Sequence, residues 1–154
     1  MDSKIREEFW HAFEKSPVIM IRLDGSSDHA APMTAQLDKD AHHAIWFYTS
    51  RGNRIAAGGR AVAEFSSKGH DVFASLSGTL TEETDPATID RHWSKPVEAW
   101  FPKGRNDPDL VMLRLDIGHS EVWTVDAGII GTFKLLTGQD VRSSDLGKHA
   151  VGVV

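Results

Sequence analysis

The sequence predicts a mainly β protein, a small β-barrel with peripheral helices. Three observations carry this. About six short runs either alternate apolar and polar residues or are rich in β-branched ones, and most are closed by a turn with Gly, Asp or Pro. Helices are few and peripheral, the clearest at the N-terminus and in the stretch between Asp85 and Phe101. Strands and helices never alternate in the rhythm that builds a parallel sheet.

The elements follow in order. Ile5, Phe9 and Phe13 recur every four residues with Trp10 beside them, an amphipathic helix capped by Asp2 or Ser3 and stopped by Ser16-Pro17. Pro17 to Leu23 is a strand closed by the Asp24-Gly25 turn. Ala31 to Leu37 is the next strand, Asp38 to His42 a polar turn, and Ala44 to Thr49 a strand whose aromatics suggest burial. Gly52 to Gly59 is Ala-rich and predicts a brief helix. Ala61 to Ser66 and Asp71 to Leu80 are strands, with Gly78 allowing a bulge or a close approach.

Asp85-Pro86 opens a helix through Trp93, and a second covers Val97 to Phe101. Pro102 to Pro108 is a tight loop. Leu110 to Ile117 is a strand, Gly118-His119 a turn, and Glu121 to Val125 its hairpin partner. Ile129 to Leu136 fits a helix or a last strand. The expected organisation is one domain over 1–154, with its core in about 9–136 and a polar tail over 138–154.

Composition narrows the function classes. The chain has 154 residues and a formal net charge of −5, which argues against broad binding to nucleic acid or anionic membranes. Any phosphate site must therefore be a local basic patch. Cysteine is absent, which excludes disulfides and thiolate metal sites and is compatible with a cytoplasmic protein. The charged N-terminus has no apolar signal region, and no apolar run is long enough to span a bilayer as a helix.

The informative stretch is Ala31-Pro32-Met33-Thr34, followed a dozen residues later by Trp46-Phe47-Tyr48-Thr49-Ser50-Arg51-Gly52-Asn53-Arg54. Two neighbouring strands can offer backbone groups to a flat ring. The loop after the second carries side chains able to hold a charged tail. A phosphorylated aromatic cofactor such as FMN makes these demands. Taken alone, Trp46-Phe47-Tyr48 is equally well a buried strand that binds nothing, and Arg51 to Arg54 a solvated turn. Trp123 is balanced between core and ring contact.

Other chemistries have less support. His42 and His43 are adjacent, so in a strand they point to opposite faces, and no HxxxH or HExxH spacing occurs. No metal site is expected. The chain has no GxSxG elbow, Walker loop or GxGxxG. No side chain stands out as an obligatory general acid or base, so no catalytic residue is assigned.

From about Phe9 to Leu136 the chain resembles the general-stress-protein branch of the FMN-binding split-barrel family, relatives of pyridoxamine 5′-phosphate oxidase. The landmarks are Pro32-Met33-Thr34, Trp46-Phe47-Tyr48-Thr49-Ser50, Ser77-Gly78-Thr79, Trp100-Phe101-Pro102-x-Gly104 with Asp107-Pro108-Asp109-Leu110, and Glu121-Val122-Trp123. The resemblance implies a six-stranded split barrel, a homodimer, FMN at the dimer interface and flavin-dependent oxidoreductase chemistry. Pro32, Met33 and Thr34 would lie along the isoalloxazine. Tyr48, Thr49 and Ser50 would run toward the ribityl chain and phosphate, and Arg51, Asn53 and Arg54 would sit near the phosphate. Trp123 would approach the ring, from the partner chain in one version.

Two positions depart from the family pattern. Ala31 stands where the family usually has Arg, and Ile55 where it usually has Lys. Both changes remove a cation. They leave open a second reading, a split barrel that binds flavin without catalysis or serves as an interaction scaffold. A deazaflavin- or haem-linked relative is a third. Residues that would bind a pyridoxine phosphate substrate are not recognisable, so oxidation of pyridoxamine phosphate is not expected.

Overall fold

The computed structural model describes residues 1–125 and 148–154. The elements are α1 (Ser3–Lys15), β1 (Val18–Leu23), β2 (Ala31–Thr34), β3 (Ala44–Ser50), β4 (Gly59–Ser66), β5 (Val72–Glu82), α2 (Pro86–His92), α3 (Lys95–Trp100), β6 (Leu110–Thr124) and β7 (Lys148–Gly152). Ile129 to Leu136, where helix and strand both fitted, lies outside the described residues.

Every strand pairing among the described residues is antiparallel. The order is β2-β1-β4-β5-β6-β3, and β7 also pairs with β6. The mainly β expectation holds, and among the described residues there are seven strands, because Leu110 to Ile117 and Glu121 to Val125 run together as β6 and the end of the polar tail adds β7. The sheet is open. Its edge strands meet at one bridge, where Gln36 N–H donates to the Trp46 carbonyl at 2.7 Å and Trp46 N–H returns a bond at 3.1 Å. β2 is therefore shorter than the Ala31 to Leu37 run suggested.

α1 is built as its spacing requires. The Asp2 carboxylate accepts from Lys4 N–H at 2.8 Å, a side-chain cap on otherwise unpaired N-terminal donors. Ile5, Phe9, Trp10 and Phe13 face the core. Phe9 and Phe13 meet Phe65 of β4 edge-on, at ring separations of 5.9 and 5.0 Å.

β3 is buried on both faces, from Ala44 through Thr49. Ile45 and Phe47 belong to the main core, while Ala44, Trp46 and Tyr48 pack with Val97 and Met112 under α2 and α3. Phe101 joins this second layer, whereas Trp100 is 83% exposed.

Two local expectations are corrected. The Gly52 to Gly59 stretch is a series of turns, not a helix. Asn53, Ala56 and Gly58 N–H groups each reach only three residues back, at 3.0 Å. The Asn53 side chain also accepts from Ile55 N–H at 3.1 Å, competing with helical bonding, and Gly58 and Gly59 adopt positive φ. Nor does Gly118-His119 turn the chain, because β6 runs straight through it. Ser77 pairs with His119 and Gly78 with Ile117, so Gly118 is the extra residue of a bulge. Pairing with β5 on both sides of that bulge outweighs the local turn preference of Gly.

Candidate functional site

β2 is an edge strand, and edge strands carry unpaired backbone groups. Ala35 N–H donates to Pro17 O at 2.7 Å, toward β1, whereas Gln36 N–H donates away from β1 to Trp46. By the two-residue alternation of a strand, the Thr34 N–H and C=O and the Pro32 C=O project from the free edge on the Gln36 side. Pro32 has no N–H, so Thr34 is the donor there. Among the side chains, Pro32 and Thr34 are exposed, and Met33 is partly buried against the main core.

The loop after β3 returns to this edge. Arg54 Nη1 donates to the His29 carbonyl at 2.9 Å, fastening the loop to the segment that enters β2. Asn53 closes the turn, and Ile55 is 1% exposed in the main core. Arg51 is directed elsewhere. Its Nε donates to Pro108 O at 3.1 Å, and its Nη2 donates to Glu82 Oε1 at 3.1 Å. The two arginines of the motif thus serve different segments, and Arg54 is the one beside β2.

Tyr48 is committed to the helical layer. Its hydroxyl donates to Ile89 O at 2.5 Å, and its ring meets Trp93 edge-on at 5.5 Å. Burial pushes its pKa up to about 12, with Arg105 opposing and Asp90 adding to the rise. The neutral phenol is favoured in the fold, so this contribution to stability is complete below the ordinary value of 10 and is lost as pH rises through about 12. Tyr48→Phe is expected to cost about 1 kcal/mol in urea unfolding at neutral pH and to flatten the alkaline loss between pH 10 and 12. Thr49 is buried and Ser50 partly so, both within the β3–β6 ladder.

Next to Tyr48, His92 stacks on Trp46 at 5.0 Å, and its Nε2 is buried with no hydrogen-bond partner among the described residues. Burial lowers its pKa, Arg91 lowers it further, and Asp38 and Glu83 oppose. The fold therefore favours neutral His92. Its contribution is complete above the unfolded value near 6.5 and is lost as pH falls through that value toward the lower folded one. Melting temperature should fall between pH 7.5 and 5.5, with a smaller fall in His92→Gln.

Trp123 is not part of the β2 site within one chain. It faces outward from β6, opposite Phe73 of β5, with its ring stacked on His149 of β7 at 5.1 Å. Going through β1, β4 and β5, it is four strand spacings from β2, roughly 19 Å. Going through β3, it is nine residues along β6 from the Arg114 that pairs with Trp46, about 30 Å. The structure thus brings Arg54, with Asn53 next to it in the loop, to the segment that enters the strand of Pro32, Met33 and Thr34. It leaves Arg51, the Tyr48 side chain and Trp123 outside that cluster. The Glu82 and His29 contacts that separate the arginines have no signal in the local sequence.

The donor set fits a flat ring with a phosphate arm. The free edge of β2 offers one N–H and two carbonyls, and the exposed Arg54 guanidinium lies beyond its start. A cavity of about 510 Å³ lies elsewhere, lined by residues such as Lys4, His11, Lys15 and Lys68. Among the described residues its lining has no Phe, Tyr or Trp, only the His11 ring, so the β2 edge is the better match to the ring.

An open antiparallel sheet with a helical layer covering β3 and a ligand-competent edge at β2 defines a split-barrel protein. The family model for pyridoxamine 5′-phosphate oxidase-like proteins matches residues 4–142, and the chain belongs to that family. Among solved structures it is similar to a general stress FMN/FAD binding protein of Xanthomonas citri. The two are 45% identical, with a TM-score of 0.76, covering 82% of this chain and 93% of the other. A protein described as of the general stress family, from Xanthomonas campestris pv. campestris, is 44% identical with a TM-score of 0.77, covering 84% and 92%. One described as general stress protein 26, from Jannaschia sp. CCS1, is 29% identical with a TM-score of 0.79, covering all of both chains. No curated protein matches the chain. No described helix is long and apolar enough to cross a membrane.

Proposed function

We propose that this chain binds FMN as a homodimer and acts as a flavin-dependent oxidoreductase of general-stress type. The observation that carries the reading is the juxtaposition of an unpaired β2 edge with the Arg54 loop through the bond to His29. The free backbone groups of Pro32 and Thr34 would hydrogen-bond the isoalloxazine edge, with Met33 packed beneath. The backbone of Tyr48, Thr49 and Ser50 would run beside the ribityl chain. Asn53 and Arg54 would hold the phosphate, and Arg51 would join them only by leaving Glu82. When bound, the flavin supplies hydride or electron transfer, and the chain supplies orientation, hydrogen bonds and exclusion of water.

The outer face of the sheet supports a second copy. Register places Pro32, Met20, Glu64, Ser75, Glu121 and Val151 in one row across it. Beside them lie Val18, Phe73 and Trp123, and Val18, Met20 and Val151 are each more than 40% exposed. The face is mixed, with Glu64, Ser75 and Glu121 among the apolar side chains, and the exposed Val18, Met20 and Val151 on it are the groups a second copy would cover. Because Trp123 lies far from β2 in its own chain, a ring contact from it would have to come from the partner.

A titration with FMN, FAD and riboflavin, read by flavin fluorescence, tests the reading. One saturable FMN per chain, with riboflavin much weaker, is expected. Absence of binding at high micromolar FMN overturns it. The buried Ile55 favours a second reading, flavin binding without catalysis, because its aliphatic side chain belongs to the core and brings no charge to the loop. Bound flavin that is reduced by a nicotinamide donor and reoxidised no faster than free FMN would support that reading over the enzyme.

A further inference from the structure

We propose that His29 is a second contact for the phosphate arm, acting beside Arg54. The inference rests on the flavin reading above and assigns a residue from outside the β3 loop. An FMN phosphate carries close to two negative charges and three acceptor oxygens, more than one guanidinium satisfies. The obvious second cation, Arg51, is held by Glu82 and by Pro108 O. His29 is the residue whose carbonyl receives Arg54 Nη1 at 2.9 Å, so the two residues are fastened together at the entrance to β2. It is exposed, and among the described residues its imidazole has no hydrogen-bond or ion-pair partner.

A neutral imidazole donates one N–H, and a protonated one donates two and adds charge. Asp28 precedes it and is also exposed. The Asp28 N–H is held by Ser26 Oγ at 3.0 Å, which shapes the loop just before His29.

The test uses the full chain, with FMN and riboflavin titrated against wild type, His29→Ala, Arg54→Ala and the double variant. Thermal melts confirm that each variant folds. His29→Ala is expected to weaken FMN by about ten-fold and leave riboflavin unchanged. The double variant should lose less than the product of the single losses, because both residues serve one group. His29→Lys should restore the preference for FMN over riboflavin, and His29→Asn should restore part of it. The proposal is overturned if His29→Ala keeps the wild-type preference while Arg54→Ala loses it. Wild-type protein with no preference for FMN would instead overturn the phosphate reading itself, and this proposal with it.

Discussion

Arg54→Ala is expected to weaken FMN binding by about ten- to a hundred-fold and to leave riboflavin binding unchanged. The size follows from the hydrogen bond to a charged group, worth about 1.5–3 kcal/mol, at about 1.4 kcal/mol per ten-fold change in affinity. Riboflavin lacks the phosphate, so it reports everything else Arg54 does, including the bond that ties its loop to His29. A loss shared equally by both ligands would mean that Arg54 only shapes the β2 entrance and the phosphate lies elsewhere. Arg54→Lys should fall between wild type and Ala, because a lysine keeps the charge and loses the planar fork. Arg51→Ala is the informative neighbour. Its ion pair with Glu82 is exposed on both sides, so its contribution to stability should be small and the FMN preference should survive its removal.

The contrast between the two arginines shows where sequence reasoning stops. The Arg51-Gly52-Asn53-Arg54 run reads as one cationic patch, but the partners that divide it lie far along the chain. Glu82 is 31 residues from Arg51, and His29 is 25 residues from Arg54. Elements whose cause is local were legible. The spacing of Ile5, Phe9 and Phe13 gives α1, and the alternation in Asp71 to Leu80 gives β5. Gly118-His119 was misread because a turn signal is local, whereas the pairing that keeps β6 straight is not. The burial of Trp46 and Tyr48 was legible as burial. Its reason, a helical layer from residues some forty positions away, was not. β7 was missed because a short, polar edge strand is set by the β6 groups it pairs with more than by its own pattern.

Gly78→Ala should destabilise the protein by about 3 kcal/mol, because it forces a backbone contact that no rotamer change can relieve. A Cβ at this position would lie 2.1 Å from the Asp116 carbonyl oxygen and 3.0 Å from its carbon. That carbonyl belongs to the β5–β6 ladder at the point where Gly118 is the extra residue, so moving it disturbs the bulge. Gly52→Ala is the control, since a Cβ there meets nothing within 4 Å and no left-handed φ is required. It should be neutral or slightly stabilising in urea unfolding. The consequence reaches the outer face as well. The bulge sets the register in which Phe73 lies opposite Trp123 and Ser75 opposite Glu121. A one-residue slip would turn the β6 segment beyond it over, carrying Trp123 from the outer face to the inner one. If the outer face is the surface that meets a second copy, Gly78→Ala should lower dimer affinity at temperatures where the monomer is still folded. Sedimentation at several protein concentrations separates the two effects. Lost stability with unchanged self-association would mean that the register survives the strain and that Gly78 serves the sheet alone.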